Sequence, residues 1–95
     1  PSFPAIQRDL SVIVPESVAW EAVAATARAS GGELLEAVEF ITTWRGAKVG
    51  ADRKSVSLRL QFREPGRTLR HDEVDPQVQA VGDALVRTLG GTIPS

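Results

Sequence analysis

The sequence predicts an α+β domain in which a four-stranded antiparallel sheet carries two helices on one face. Three observations support this prediction. Residues 55–63 alternate between polar and apolar side chains without a break, which is typical of a strand with one face on a core and the other in water. Two other stretches repeat apolar residues at helical spacing. A glycine pair that can end a helix follows each of them, at 31–32 and at 90–91.

Length and composition indicate one ordinary globular domain with a modest core. The chain has 95 residues, of which 42% are hydrophobic and 24% are charged. It has no cysteine and one histidine, which excludes disulfides, thiolate zinc sites and histidine clusters. No apolar run is long enough to span a bilayer and these residues show no signal-peptide pattern, so we expect a cytoplasmic setting. The lack of methionine indicates a chain processed or cut from a longer one.

The first strand and the first helix are predicted from the start of the chain. Residues 1–7 contain two prolines and no periodicity, and they are interpreted as a lead-in linker before the single domain of residues 1–95. Alternation over residues 9–14 predicts a strand that ends at Pro15. Ser17 is predicted to cap a helix over residues 18–30. The apolar stripe of that helix contains Trp20, Val23, Ala24 and Ala27.

The remaining elements are two more strands, a helix and a short last strand. Residues 34–44 favour a strand, with a bulge between Leu35 and Phe40, where the alternation slips. The alternating strand of residues 55–63 follows. A second helix is predicted over residues 72–89 and a last strand over residues 92–93. The resulting order β-α-β-β-α-β, with right-handed crossovers, is the ferredoxin-like split, which leaves one sheet face uncovered.

The uncovered face is predicted to carry polar groups and an aromatic ring. On the second strand, Phe40, Thr42 and Trp44 are expected to point outward, and Ile41 inward. The other outward residues are predicted to be Ser11, Ile13, Ser55, Ser57, Arg59 and Gln61. Such a face can stack on unpaired bases and hydrogen-bond to them, which suggests a surface for single-stranded RNA.

Charge is concentrated in the same part of the chain. Residues 45–70 contain eight Lys or Arg against two acids, whereas the rest contains three against ten. We therefore expect weaker contacts to the RNA backbone from Arg45, Lys48, Arg53, Lys54 and Arg59. Two alternatives remain open from the residues alone. The charges can belong to a solvated loop with Trp44 packed beneath it, or Trp44 and Phe40 can form a patch for protein interaction or dimerisation.

Catalysis by this domain is not predicted. One histidine, no cysteine and no asparagine leave little for a catalytic triad or a metal centre. The carboxylates near residue 72 are interpreted as charges at a helix start. Gly46 and Gly50 lack the Lys-Ser/Thr pair and the following helix of a phosphate-binding loop.

Several short motifs recur in the order and spacing of a known family. They are Phe3-Pro4-Ala5-Ile6-Gln7-Arg8-Asp9-Leu10-Ser11, Trp44-Arg45-Gly46, Lys54-Ser55, Arg67-Thr68-Leu69 and Glu73-Val74. On these residues the chain resembles, over nearly its whole length, the ferredoxin-fold anticodon-binding domain that ends the β subunit of bacterial phenylalanine–tRNA ligase.

The resemblance implies that the open face recognises the anticodon of tRNA(Phe). The implied base contacts are Ser11, Thr42, Trp44 and Ser55. Thr42 and Trp44 stand where the family has an aspartate and a tyrosine, and Pro94 stands where it has an arginine. The implied parent is an enzyme of two α and two β chains that uses ATP and magnesium, while this domain itself takes no cofactor and performs no catalysis.

Overall fold

The computed structural model describes residues 3–94. The elements in chain order are β1 (Ile6–Pro15), α1 (Trp20–Ser30), β2 (Leu35–Trp44), β3 (Arg53–Phe62) and α2 (His71–Leu89). The three strands form one antiparallel sheet in the order β1-β3-β2. The predicted α+β class and the order of these five elements are therefore confirmed.

The predicted fourth strand is reduced to a single bridge. The Thr92 N–H donates to the Ile13 carbonyl and the Ile13 N–H donates to the Thr92 carbonyl, each at 2.8 Å. Over residues 3–94 the sheet therefore has three strands, and the prediction of four was wrong. Continuing the antiparallel register places Pro94 opposite Ser11, and proline has no amide hydrogen to donate there. The ladder consequently ends after Thr92.

Two element boundaries differ from the prediction. β1 begins at Ile6, so Ile6 and Gln7 lie in the strand rather than in the lead-in, and residues 1–2 are outside the described part. α1 begins at Trp20, with Ala19 as its N-cap and no side-chain cap. Ser17 lies instead in the preceding turn, which the Val18 N–H closes by donating to the Pro15 carbonyl.

Both helices pack against one face of the sheet. The four apolar side chains of β3 that alternate toward the helices are all buried, as predicted. They share one core cluster with apolar residues of β1 and of both helices. Its buried members outside β3 include Val12, Val14, Val23, Ala27, Val74, Val81 and Leu85. Trp20, predicted to be in the core, is partly buried and packs against this cluster.

β2 changes its phase at a bulge. Its register against β3 shifts between Leu35 and Ala37, as predicted, and again between Phe40 and Thr42. Residues directly opposite each other in an antiparallel pair share a face. Phe40 pairs with the buried Leu58 and therefore lies on the helix side, not outward as predicted.

The side chains around this bulge follow from the same register. The Phe40 ring meets the Trp20 ring edge to face, with 5.3 Å between the ring centroids. Ile41 is the extra residue of the bulge and is 41% exposed rather than inward. Thr42 pairs with Ser57 and lies on the open face, as predicted. In the described part of the chain, no helix is both long and apolar enough to cross a membrane.

Candidate nucleic-acid interface

The structure brings the four predicted base contacts together at one end of the open sheet face. The β-ladders place Ser55 of β3 directly between Ile13 of β1 and Trp44 of β2. The next row in the same direction is Ser11, Ser57 and Thr42. Neighbouring strands lie about 4.8 Å apart, so these two rows form a compact surface. Ser57, which was predicted to point outward but not to bind, completes the second row.

Trp44 is the most exposed of the large apolar side chains among residues 3–94, with 52% of its surface accessible. It follows that Trp44 does not pack beneath the loop as a core residue, which had been the alternative interpretation. The Gly46 backbone lies against the six-membered part of the indole. An ideal Cβ built on Gly46 would be 3.1 Å from Cη2 and 3.2 Å from Cζ2 of Trp44. The ring therefore has the loop at Gly46 on one side, and about half of the side-chain surface is accessible to solvent.

The hydroxyl groups beside Trp44 differ in their partners. The Ser11 and Ser57 hydroxyl oxygens are 2.8 Å apart and hydrogen-bond to each other, which leaves one hydrogen for an outside acceptor. Within the described residues, the hydroxyls of Ser55 and Thr42 make no hydrogen bond to protein groups. These two hydroxyls can both donate and accept, and they flank the indole most closely in the register.

The row beyond Ser57 is occupied by an ion pair. Arg59 donates to both carboxylate oxygens of Asp9 on β1, at 2.8 and 3.1 Å. In the ladder with β2, Arg59 stands directly opposite Glu39. The hydrogen bond from Arg59 lowers the pKa of Asp9, and the same bond raises the pKa of Arg59. Arg59, predicted as a backbone contact, therefore already lies between two carboxylates.

The loop between β2 and β3 is tied to the turn after β1 through Glu16. Arg45 donates to the two oxygens of Glu16 at 2.6 and 2.7 Å, and the Lys54 ammonium lies 3.6 Å from one of them. The Glu16 N–H donates to the Asp52 carbonyl at 2.8 Å. Glu16 thus joins both ends of the loop. The hydrogen bonds from Arg45 lower the pKa of Glu16 from 4.5 to about 2.

Only part of the predicted basic surface remains free of acidic partners. Arg45, Lys54 and Arg59 form ion pairs, whereas Lys48 and Arg53 form none in the part of the chain described. Arg63 and Arg67 likewise pair with Glu36 and Glu73. The count of basic residues between positions 45 and 70 therefore overestimates the positive charge of this surface, because acidic side chains from other segments neutralise several of them. Glu16 was missed because it is 29 residues from Arg45 and belongs to no motif.

The alternative interface patch does not form as a single surface. The predicted patch consisted of Trp44 and Phe40, but these two side chains lie on opposite faces of β2. Trp44 stands opposite Ser55 on the open face, and Phe40 stands opposite Leu58 on the helix side. A groove between the helices, lined in part by Ala29, Ala84 and Arg87, is on the helix side, away from both rows.

Comparison with known proteins identifies relatives of this chain. The family described as the ferredoxin-fold anticodon binding domain matches residues 1–94. A phenylalanine–tRNA ligase beta subunit from Nocardia farcinica is 44% identical over 93 residues, which cover 94% of this chain and 11% of that protein. The beta subunit from Moorella thermoacetica is 39% identical over 93 residues, covering 98% of the chain and 12% of the relative. The chain spans about a tenth of the length of these curated relatives.

Proposed function

The chain belongs to the family of ferredoxin-fold anticodon binding domains, and from that premise we propose that its open sheet face binds the anticodon stem-loop of tRNA(Phe). Relatives named phenylalanine–tRNA ligase beta subunit, 44% and 39% identical over most of this chain, support the choice of tRNA. The domain contributes binding energy and selection of the tRNA, and the bond-making chemistry belongs to other parts of the enzyme.

The observation that carries this proposal is the half-exposed indole of Trp44 beside two hydroxyls that bond no described protein group. A ring with 52% of its surface accessible offers a platform on which an unpaired base can stack. Stacking on an aromatic side chain contributes about 1–3 kcal/mol per base. Ser55 and Thr42 then reach the hydrogen-bonding edge of the stacked base from either side of the ladder.

Phosphate contacts are assigned mainly to Lys48 and Arg53. Neither side chain forms an ion pair within residues 3–94, so a phosphate contact does not require breaking one. Arg45, Lys54 and Arg59 would each exchange a carboxylate for a phosphate, so their net contributions are smaller. We therefore propose a surface in which stacking and hydroxyl contacts dominate and the electrostatic contribution is modest.

The parent of this domain is proposed to be a cytoplasmic phenylalanine–tRNA ligase with two α and two β chains. The rest of the β subunit and the α subunit are then its protein partners. The ATP and magnesium of that enzyme are assigned to segments outside this chain. Among residues 3–94, no group of three or more His, Cys, Asp or Glu side chains is placed to hold a metal ion.

A chemical-shift titration of the labelled domain with a phenylalanine anticodon stem-loop tests the proposal. We expect shifts for Ser55, Thr42 and their row neighbours, and for the indole N–H of Trp44. The indole N–H of Trp20, on α1, serves as an internal control that does not move. A fully paired hairpin without the loop nucleotides is the matched RNA control. Shifts centred on the helices, or equal responses to both RNAs, would contradict the proposal.

A further inference from the structure

We propose that Gly46 is a positioning residue, which sets where the Trp44 indole lies and so where a base can stack. The inference rests on the proposed function for its effect on RNA binding. The contact between Gly46 and the ring can be tested without RNA.

An alanine at position 46 would crowd the indole, so that the ring or the loop must give by a few tenths of an ångström. An ideal Cβ there would approach Cη2 and Cζ2 of the indole to 3.1 and 3.2 Å, against an ordinary contact of 3.4–4 Å. Gly46 is not among the glycines with positive φ, which are Gly32, Gly50 and Gly90. Its backbone therefore accepts alanine without strain, and the constraint on the residue is the ring itself.

The backbone at Gly46 is held in place, so the ring is the part that moves. The Gly46 carbonyl accepts hydrogen bonds from the Val49 and Gly50 N–H groups at 3.1 and 3.2 Å. Val49 is only 7% exposed and anchors this turn. On the other side, Arg45 is bound by both oxygens of Glu16. An added methyl group at Gly46 consequently pushes the exposed indole away from its present position.

A displaced indole loses its alignment with the neighbouring hydroxyls. Ser55 and Thr42 are placed by the β-ladder and do not follow the ring. A base stacked on the shifted ring then makes longer, less well aligned hydrogen bonds to these hydroxyls, while a base held by the hydroxyls overlaps the ring less completely. We expect Gly46→Ala to weaken stem-loop binding about three- to tenfold, which is part of the loss expected for removing the ring.

The first test uses the fluorescence of Trp44 in a Trp20→Phe background, where it is the only tryptophan. Gly46→Ala should change the emission maximum and the acrylamide quenching of this indole. Gly66→Ala, in another exposed loop, is the matched control and should change neither. Identical emission and quenching in the Gly46→Ala protein and its parent would overturn the inference, whatever the RNA result.

The second test is a double-mutant cycle on binding to the anticodon stem-loop. A phenyl ring lacks the outer indole atoms that a Cβ at position 46 would meet. Gly46→Ala should therefore weaken binding in the Trp44 protein but by less than about 1.5-fold in the Trp44→Phe protein. Equal losses in both backgrounds would overturn the positioning role, because Gly46 would then act through the loop alone.

The two proposals fail in different ways. If the unsubstituted domain does not bind the stem-loop, the proposed function fails, and the fluorescence test still decides whether Gly46 positions the ring. If Trp44→Ala weakens binding but Gly46→Ala does not, the proposed function stands and the inference fails. Thermal melting of each variant by circular dichroism confirms that the substitutions leave the fold intact.

Discussion

Trp44 and Ser55 stand directly opposite each other on β2 and β3, and both face away from the helices. This pairing places a stacking ring and a hydroxyl that bonds no described protein group side by side on the open face of the sheet. It depends on the second bulge of β2, because without that register shift Trp44 would fall on the helix side together with Phe40.

Trp44→Ala should weaken binding of the phenylalanine anticodon stem-loop about 5- to 150-fold, since stacking contributes about 1–3 kcal/mol per base. Fluorescence anisotropy of a labelled stem-loop measures the change. Trp44→Tyr keeps a ring and is the matched control, with most of the affinity retained. An affinity for Trp44→Ala equal to that of the unsubstituted domain would remove the stacking role.

Substituting Lys48 and Arg53 with alanine should reduce the salt dependence of binding. Each phosphate contact to a single strand contributes about 0.7 to the slope of log K against log salt concentration, so the double variant should lower the slope by about 1.4. Affinities measured at several salt concentrations give the slope. Arg87→Ala, on α2, is the control on the helix side and should leave it unchanged. A slope that the double variant does not alter would exclude phosphate contacts from both residues.

Glu16 should contribute stability that disappears in acid. Its pKa of about 2 in the folded state is below the ordinary 4.5, so folding favours the charged carboxylate. The stabilisation is therefore complete above pH 4.5 and is lost as pH falls from 4.5 toward 2. Urea unfolding across this pH range should show a smaller loss for Glu16→Gln than for the unsubstituted domain. Glu33→Gln is the control, because the Glu33 carboxylate forms no ion pair within residues 3–94. If Glu16→Gln lost as much stability in acid as Glu33→Gln, the linkage would be disproved.

Leu58→Ala should destabilise the fold by about 2–5 kcal/mol, because the side chain is 0% exposed and its removal leaves a cavity beneath the helices. Thr42→Ala, on the opposite face of the sheet, should change stability by less than about 0.5 kcal/mol. Urea unfolding monitored by circular dichroism measures both. Similar losses for the two variants would contradict the assignment of Leu58 to the buried face of the sheet and of Thr42 to the open face.

The regular elements were predictable because they depend on local periodicity. The alternation of residues 55–63 identified both faces of β3, and the apolar repeat within residues 72–89 identified α2, since each pattern needs only neighbouring residues. The positions of Ser55 and Ser57 on the open face followed from the same alternation. The outward direction of Thr42 and Trp44 was also predicted correctly, although Phe40 was placed on the wrong face.

By itself, then, the sequence determined the α+β class, the order of the five main elements and the presence of a ring and hydroxyls on an open sheet face. Only the tertiary structure decided the face of Phe40, the single bridge at Thr92 and the pairing of Arg45 with Glu16. Each of these depends on groups brought together from distant segments. The face of Phe40 depends on how β2 pairs with β3, and the ladder ends because Pro94 has no N–H to donate. The ion pair of Arg45 joins it to a residue that belongs to no local pattern. Periodicity along the chain carries no information about such contacts, which arise when the elements pack.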